Sequence, residues 1–250
     1  MTVKELYRHL ETMIPPTLSC DWDNDGLMCC PDGERKVKKA LVCLDVTTDA
    51  VKKAVDEGFD VIVSHHPFIF KGLKSLDEGA YIPKKAMELI RAGISVISFH
   101  TRLDAVSGGV NDTLASLVGL SDVEPFGDGI GRIGFLPSPT PAKELAQKVK
   151  SALDAPTVFL AGANIPAYKV ALLGGSGEDE LFAAMAAGAD TYISGNLGYH
   201  TMTDAPDMGI NLIEAGHFYT EDPVCDVLCH AIEDLSVEAV KYNSNRTLAI

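Results

Sequence analysis

Basic residues are scarce in this chain: 21 lysines and arginines stand against 35 aspartates and glutamates in 250 residues, a formal net charge of -14. No run of Lys and Arg is long enough to form a basic stripe, which argues against nucleic acid as the primary partner. Also missing is any uncharged apolar stretch of the roughly 18 to 20 residues that a membrane span needs. At the N-terminus, Lys4, Glu5, Arg8 and Glu11 stand where a signal peptide would be apolar. A cytoplasmic chain with no membrane partner is the expectation. Nor do the cysteines, at 20, 29, 30, 43, 225 and 229, show the even framework of a small secreted domain, so buried reduced thiols are expected. Apolar residues, by contrast, make up 46% of the chain, which excludes general disorder and suffices for one or two cores.

The chain opens with helical periodicity, Val3, Leu6, Tyr7, Leu10 and Ile14 sharing one face before Pro15 and Pro16 stop it. Short strand-type runs follow at Ala40 to Leu44, Asp60 to Ser64 and Ile94 to Phe99, separated by helical stretches from Thr48 to Glu57 and Pro83 to Ala92. Gly58 and Gly93 mark the ends of those helices. Strand and helix alternate, which predicts an α/β fold with mainly parallel sheets. The pattern then recurs. Gly58 to Ser64 lines up with Gly188 to Ser194, Leu41 to Leu44 falls on Ala171 to Gly174 at the same offset, and Ala92 to Ile97 resembles Met208 to Ile213. Two related α/β lobes are inferred, residues 1-124 and 125-250, with the glycine-rich stretch from Pro125 to Gly131 as the hinge between them.

In open parallel sheets, functional groups gather outside the carboxyl ends of strands. Three such ends carry histidine: His65-His66-Pro67 after one run, His100 followed by Asp104 after another, and His217 with Glu221 after a third. Pro67 disfavours helical backbone at His66, so the adjacent pair should stay extended and splay apart. Two metals roughly 3.5 to 4 Å apart could then take one ring each, with carboxylates filling the remaining positions. His217 and Glu221 share one face of a helical turn, and Asp104 supplies a second carboxylate from the first lobe. Mixed imidazole and carboxylate ligation favours zinc, manganese or iron over calcium. Each of these residues alone has an ordinary structural explanation, as His9 and His230 do; their joint placement at three strand ends across two repeats is what points to a site between the lobes.

Weaker signals surround these. Gly174 to Gly177 follows a strand but lacks the spacing and lysine of a P-loop, and reads better as a tight turn than as a phosphate cradle. Cys225 and Cys229 lie on a helix with Asp222 as its cap and Val224, Val227, Leu228, Ala231, Ile232 and Leu235 as its apolar stripe, so they read as packing residues. Lys71, Lys74 and Arg102 flank the proposed site and could hold a phosphate.

Six segments together resemble one family nearly end to end: Trp22-Asp23-Asn24-Asp25-Gly26-Leu27, Leu44-Asp45-Val46-Thr47, Ser64-His65-His66-Pro67, His100-Thr101-Arg102-Leu103-Asp104-Ala105, Gly108-Gly109-Val110-Asn111-Asp112 and Gly216-His217-Phe218-Tyr219-Thr220-Glu221. The sequence resembles the dinuclear-metal-centre hexameric proteins labelled GTP cyclohydrolase type 2 homologues. The resemblance implies two divalent metal ions per subunit on His65, His66, Asp104, His217 and Glu221, and a toroidal homohexamer. It also implies proton-transfer or supporting roles beside the metals for His100 and His200. This chain departs from the family pattern at Asn196 and Gly198, where aspartate and lysine are usual, and at Arg102, where asparagine is typical.

The expected function is a metal-dependent hydrolase acting on a small phosphorylated or nucleotide substrate. The family label suggests attack at a carbon bonded to nitrogen, and an activated hydroxide would equally suit a phosphoester. Metal charge left uncancelled by Asp104 and Glu221 would supply the attraction for an anion that the acidic chain lacks. The alternative is a non-catalytic metal-binding, regulatory or interaction protein assembled as the same hexamer.

Overall fold

Thr2 starts the first helix. Its hydroxyl accepts the Glu5 N–H at 3.2 Å while the Glu5 carboxylate accepts the Thr2 N–H at 2.6 Å, a reciprocal cap that satisfies donors a helix start leaves orphaned. Helix α1 (Val3–Met13) buries Val3, Leu6 and Leu10, the face its periodicity predicts. The computed structural model describes residues 1–249, and its contacts divide the chain into two compact units: Met1–Leu103 with Cys225–Arg246, and Asp104–Val224 with the residues from Thr247 onward.

In unit 1, β1 (Gly26–Cys29), β2 (Lys39–Cys43), β3 (Val61–Ser64) and β4 (Ser95–Ser98) alternate with α2 (Thr48–Asp56) and α3 (Tyr81–Ala92). Strands β2, β3 and β4 pair in parallel, and β1 closes one edge antiparallel to β4. Every residue of β3 and β4 is buried, as expected of parallel strands covered on both faces. Leu41, Ile62 and Val96 of the sheet pack with Val51 and Ala54 of α2 and Leu89 of α3 in one core cluster.

Helix α4 (Thr101–Ala105) carries the division at Leu103 and Asp104. Unit 2 continues with α5 (Val110–Val118), β5 (Ser121–Phe126), β6 (Gly131–Pro141), α6 (Ala142–Ala152), β7 (Phe159–Ala161) and β8 (Pro166–Ser176). It is completed by α7 (Leu181–Ala186), β9 (Thr191–Asn196), α8 (Tyr199–Met208), β10 (Asn211–Glu214) and α9 (His217–Glu221). The sheet order is β5-β6-β8-β9-β10-β7, a parallel centre of β8, β9 and β10 flanked by antiparallel strands. The chain then returns to unit 1 through α10 (Val224–Glu233) and β11 (Glu238–Lys241), which pairs in parallel with β2.

The α/β fold with two sheets is as expected; the units do not divide at 124 and 125. The glycine-rich stretch read as a hinge is the turn of the β5–β6 hairpin, where Gly127 and Gly129 take left-handed φ of 62° and 88°. Helix α5 belongs to unit 2 because Leu114, Ala115 and Val118 pack into its core with Val149 and Leu172. On α10, Val227 is exposed, and the buried face is Val224, Cys225, Leu228, Cys229 and Ile232. Cys30 is exposed rather than buried. Among the described residues no helix is long and apolar enough to cross a membrane.

The sequence repeat is a repeat of hydrogen bonds as well as of strands. In unit 1 the Asp60 carboxylate accepts the Lys38 and Lys39 N–H groups at 2.9 and 3.2 Å, and the backbone N–H of Asp60 donates to Lys39 O. In unit 2 Asp190 does the same for Tyr168 and Lys169, at 3.0 and 2.9 Å, with its own N–H on Lys169 O. Each aspartate thus fastens the start of one parallel strand to the start of the next, which accounts for the Gly-x-Asp signature. Replacement Asp190→Ala is expected to lower stability by about 2 kcal/mol, since two backbone donors lose a charged acceptor. Urea unfolding should show this as a lower midpoint at unchanged slope, and an unchanged midpoint would remove the aspartate's structural role.

Candidate metal centre

Strands β3 and β4 lie side by side and end together, so the segments that follow Ser64 and Ser98 leave the sheet at the same edge. Ser64 Oγ donates to His66 O at 2.9 Å and lies 2.8 Å from Ser98 Oγ, which also accepts the Phe68 N–H. This bends the chain just past β3. The His65 and His66 rings therefore lean together, centroids 5.0 Å apart, instead of splaying to opposite sides as an extended pair would. His100, from the end of β4, lies 5.4 and 5.8 Å from them.

Each of these rings is fixed by an oxygen on Nδ1. His65 Nδ1 lies 2.9 Å from Phe99 O, His66 Nδ1 2.8 Å from Asp45 Oδ1, and His100 Nδ1 2.9 Å from Asp23 Oδ1. A carbonyl or an ionised carboxylate can only accept, so in the neutral ring the proton sits on Nδ1 and Nε2 presents its lone pair. One ring nitrogen from each of the three lies within 4.8 Å of the others. Such a set of neutral imidazole donors fits zinc, manganese or iron. Asp23 also accepts from Thr101, through its N–H at 3.1 Å and its hydroxyl at 2.6 Å. Burial works to raise the Asp23 pKa, but the hydrogen bonds from His100 and Thr101 outweigh it and hold the carboxyl well below the usual range.

In unit 2, Gly216 caps the start of α9, and its φ of 85° lets the chain turn sharply out of β10. His217 Nε2 lies 3.0 Å from Glu221 Oε2, and its Nδ1 lies 2.9 Å from Asn196 Oδ1. The glycine run at the end of β8 is neither a turn nor a phosphate cradle. It is strand backbone on which α9 rests. A Cβ on Gly175 would lie 2.1 Å from Glu221 Oε1, one on Gly174 would lie 3.2 Å from Glu221 Cγ, and one on Gly195 would lie 2.8 Å from His217 Cα. The Gly175 N–H donates to Thr220 Oγ1 at 3.0 Å and fixes the same turn.

Asp104 reaches this region through Asn111. The Asn111 amide donates to Asp104 O at 3.2 Å and to Ile130 O at 2.9 Å, and its Oδ1 accepts the Gly174 N–H at 2.8 Å. Asp104 and Glu221 are both buried, and each offers an oxygen within 4.8 Å of the other. Two buried carboxylates this close repel if both are ionised, and a deprotonated His217 Nε2 facing Glu221 repels too. A cation would relieve both, and Asp104, His217 and Glu221 each belong to a group of side chains that could hold one.

Several expected roles change. Arg102 is buried and spends its guanidinium on Asp25 at 3.0 Å, Glu11 at 3.4 Å and Ile14 O at 3.2 Å, stacked over Phe99, so it is not placed to hold a phosphate. Lys71 and Lys74 are exposed. His200 is exposed on the first turn of α8 beside Tyr199, and no potential ligand cluster among the described residues includes it. Asn196, standing where aspartate is usual, still accepts from His217 but as a neutral amide. At Gly198, a Cβ would meet Glu178 Oε1 at 2.6 Å, so a carboxylate fills the space beside a position where lysine is usual. Asp23, Asp45 and Asn111 carry no sequence signal beyond membership of the six segments, and Asn196 none beyond its departure from the family pattern.

Replacement Gly175→Ala should place a methyl against Glu221 at a left-handed position, costing about 1–2 kcal/mol of stability. Elemental analysis is expected to show reduced metal content with an unchanged far-UV circular dichroism spectrum. Full metal content in that variant would show that the glycine does not set Glu221.

The chain is similar to known proteins along nearly its whole length. Residues 1–247 match the family described as Duf34/NIF3 (NGG1p interacting factor 3). A "GTP cyclohydrolase 1 type 2 homolog" of Clostridium perfringens is 34% identical over 232 residues, covering 90% of this chain and 88% of that protein. A "Protein NIF3 homolog" of Schizosaccharomyces pombe is 31% identical over 258 residues, covering 94% and 92%. Among solved structures, Staphylococcus aureus protein SA1388 superposes with a TM-score of 0.90 at 25% identity, over 100% of this chain and 99% of that one. A family model matched over residues 1–247, together with relatives above 30% identity along about nine tenths of the chain, settles the kinship: the chain belongs to the Duf34/NIF3 family.

Proposed function

We propose that this protein is a metal-dependent hydrolase of the cytoplasm, binding two divalent ions (zinc, manganese or iron) per subunit through His65, His66, Asp104, His217 and Glu221. The observation that carries the reading is the cluster of three imidazoles in unit 1, His65 and His66 as metal donors with His100 beside them, each with an oxygen acceptor against Nδ1 and one ring nitrogen within 4.8 Å of the others. When bound, the pair would supply an activated water and a Lewis acid for the group under attack. The chain's own residues do the rest. His100, oriented by Asp23, offers Nε2 to take the proton that the attacking water sheds. Asp104 and Glu221 cancel only part of the metal charge, leaving net attraction for an anionic substrate. The name carried by the Clostridium perfringens relative supports a nucleotide substrate, opened at a carbon–nitrogen bond, with phosphoester hydrolysis the neighbouring chemistry. Assembly as a toroidal homohexamer is part of the same proposal.

The family description, an interacting factor, favours a second reading in which the same metals are structural and the protein binds partners without turnover. The two separate on one experiment. Untagged protein should carry two metals per chain and turn over GTP or a phosphoester, and chelation should abolish turnover until metal is restored. His66→Ala and Glu221→Ala should each lose metal and lower turnover by at least about 10²-fold, the scale of losing an essential catalytic group, with the fold retained. Full metal stoichiometry in both variants would sink the ligand assignment; full metal in the wild type with no turnover on any substrate would leave the second reading.

A further inference from the structure

Three residues of the Trp22-Asp23-Asn24-Asp25 segment in unit 1 have a structural task. Asp23 holds His100 and Thr101. Asp25 accepts the His100 N–H at 3.1 Å and Arg102 Nε at 3.0 Å. Asn24 Nδ2 donates to Ile69 O at 2.5 Å and so ties this loop to the segment that carries Phe70. Trp22 instead presents its indole to water, 64% exposed, and Phe70 is 47% exposed. The two rings meet edge to face at 6.2 Å, and each lies 6.2 Å from the His100 ring. Exposed aromatics forgo the stabilisation that burial gives. Here two of them are held side by side by the hydrogen bonds of their chain neighbours, directly against one of the three clustered histidines.

We propose that Trp22 and Phe70 form a stacking site for the planar nitrogen heterocycle of a phosphorylated ligand, seating that ring beside His100. Aromatic faces bind flat heterocycles by stacking, because every such ring has a π-face to offer, and indole presents a large one. Lys71 and Lys74 follow Phe70 in the same exposed stretch and bring ammonium groups for the phosphates. The inference rests on the hydrolase reading for what happens beyond the ring, and it narrows the substrate class to nucleotides and their heteroaromatic relatives, excluding simple sugar or alkyl phosphates.

Trp22 is the sole tryptophan of the chain, so its emission reports on this site alone. The test is a titration of metal-loaded, full-length protein with GTP, guanosine and inorganic triphosphate, followed by Trp22 emission and acrylamide quenching. Dialysis binding of GTP to Trp22→Ala, Trp22→Phe and Phe70→Ala accompanies it. GTP and guanosine should change the emission saturably and shield Trp22 from acrylamide, while triphosphate does neither. Both alanine variants should bind GTP about ten-fold or more weakly, the effect of removing one stacked ring, with Trp22→Phe recovering much of the loss. Equal responses to GTP and triphosphate, or unchanged affinity in both alanine variants, would overturn the proposal. So would an indole already shielded from acrylamide before any ligand is added, which would mean that a partner subunit covers it. Metal content is measured on every sample: base-dependent binding by metal-free wild type would count against the hydrolase reading and for the stacking site, and full metal without base dependence would do the reverse.

Discussion

A histidine can serve a metal only if one ring nitrogen is deprotonated and aimed, and in this protein an oxygen on the opposite nitrogen decides both. Phe99 O, Asp45 and Asp23 do this for His65, His66 and His100 in unit 1, and Asn196 does it for His217 in unit 2. Much of the surrounding structure serves to place those acceptors. Thr101 holds Asp23 from two directions, and the Ser64 and Ser98 hydroxyls bend the chain that brings His65 next to Phe99 O and His66 next to Asp45.

The two units solve the positioning problem with different means. Unit 1 uses charged and carbonyl acceptors on rings that leave parallel strands. Unit 2 uses the absence of side chains: Gly174, Gly175 and Gly195 let the turn of His217 and Glu221 lie on bare backbone, so the Glu221 carboxylate is buried. Common to both is the aspartate that fastens one strand start to the next, Asp60 in one and Asp190 in the other. The repeat thus conserves the scaffold, while the chemistry at the strand ends differs.

What could be read from sequence was local. Apolar runs of four to six residues gave the parallel strands, the Gly-x-Asp signature gave the repeat, and strand-end histidines gave the candidate ligands. What could not be read was pairing across long stretches of chain. Asp23 and His100 meet only because β1 returns beside β4, which also brings Asp25 to Arg102, while Glu11 reaches Arg102 from α1. The hinge was misplaced because glycines at positive φ serve a hairpin turn as readily as a linker, and composition does not separate the two. His65 and His66 do not splay because β3 ends at Ser64, whose hydroxyl on His66 O bends the backbone there.

Unit 1 is discontinuous: its sheet order, β1-β4-β3-β2-β11, ends on a strand made from residues 238–241. During synthesis, β2 emerges well before its partner β11 and keeps an open edge until residues 238–241 follow, whereas nearly all of unit 2 is one continuous stretch that can close on its own in the meantime. Order of emergence therefore runs against order of completion. The unit that is started first is finished last, and the histidine trio of unit 1 sits on a sheet whose far edge is sealed only after residues 104–224 of unit 2 have been made.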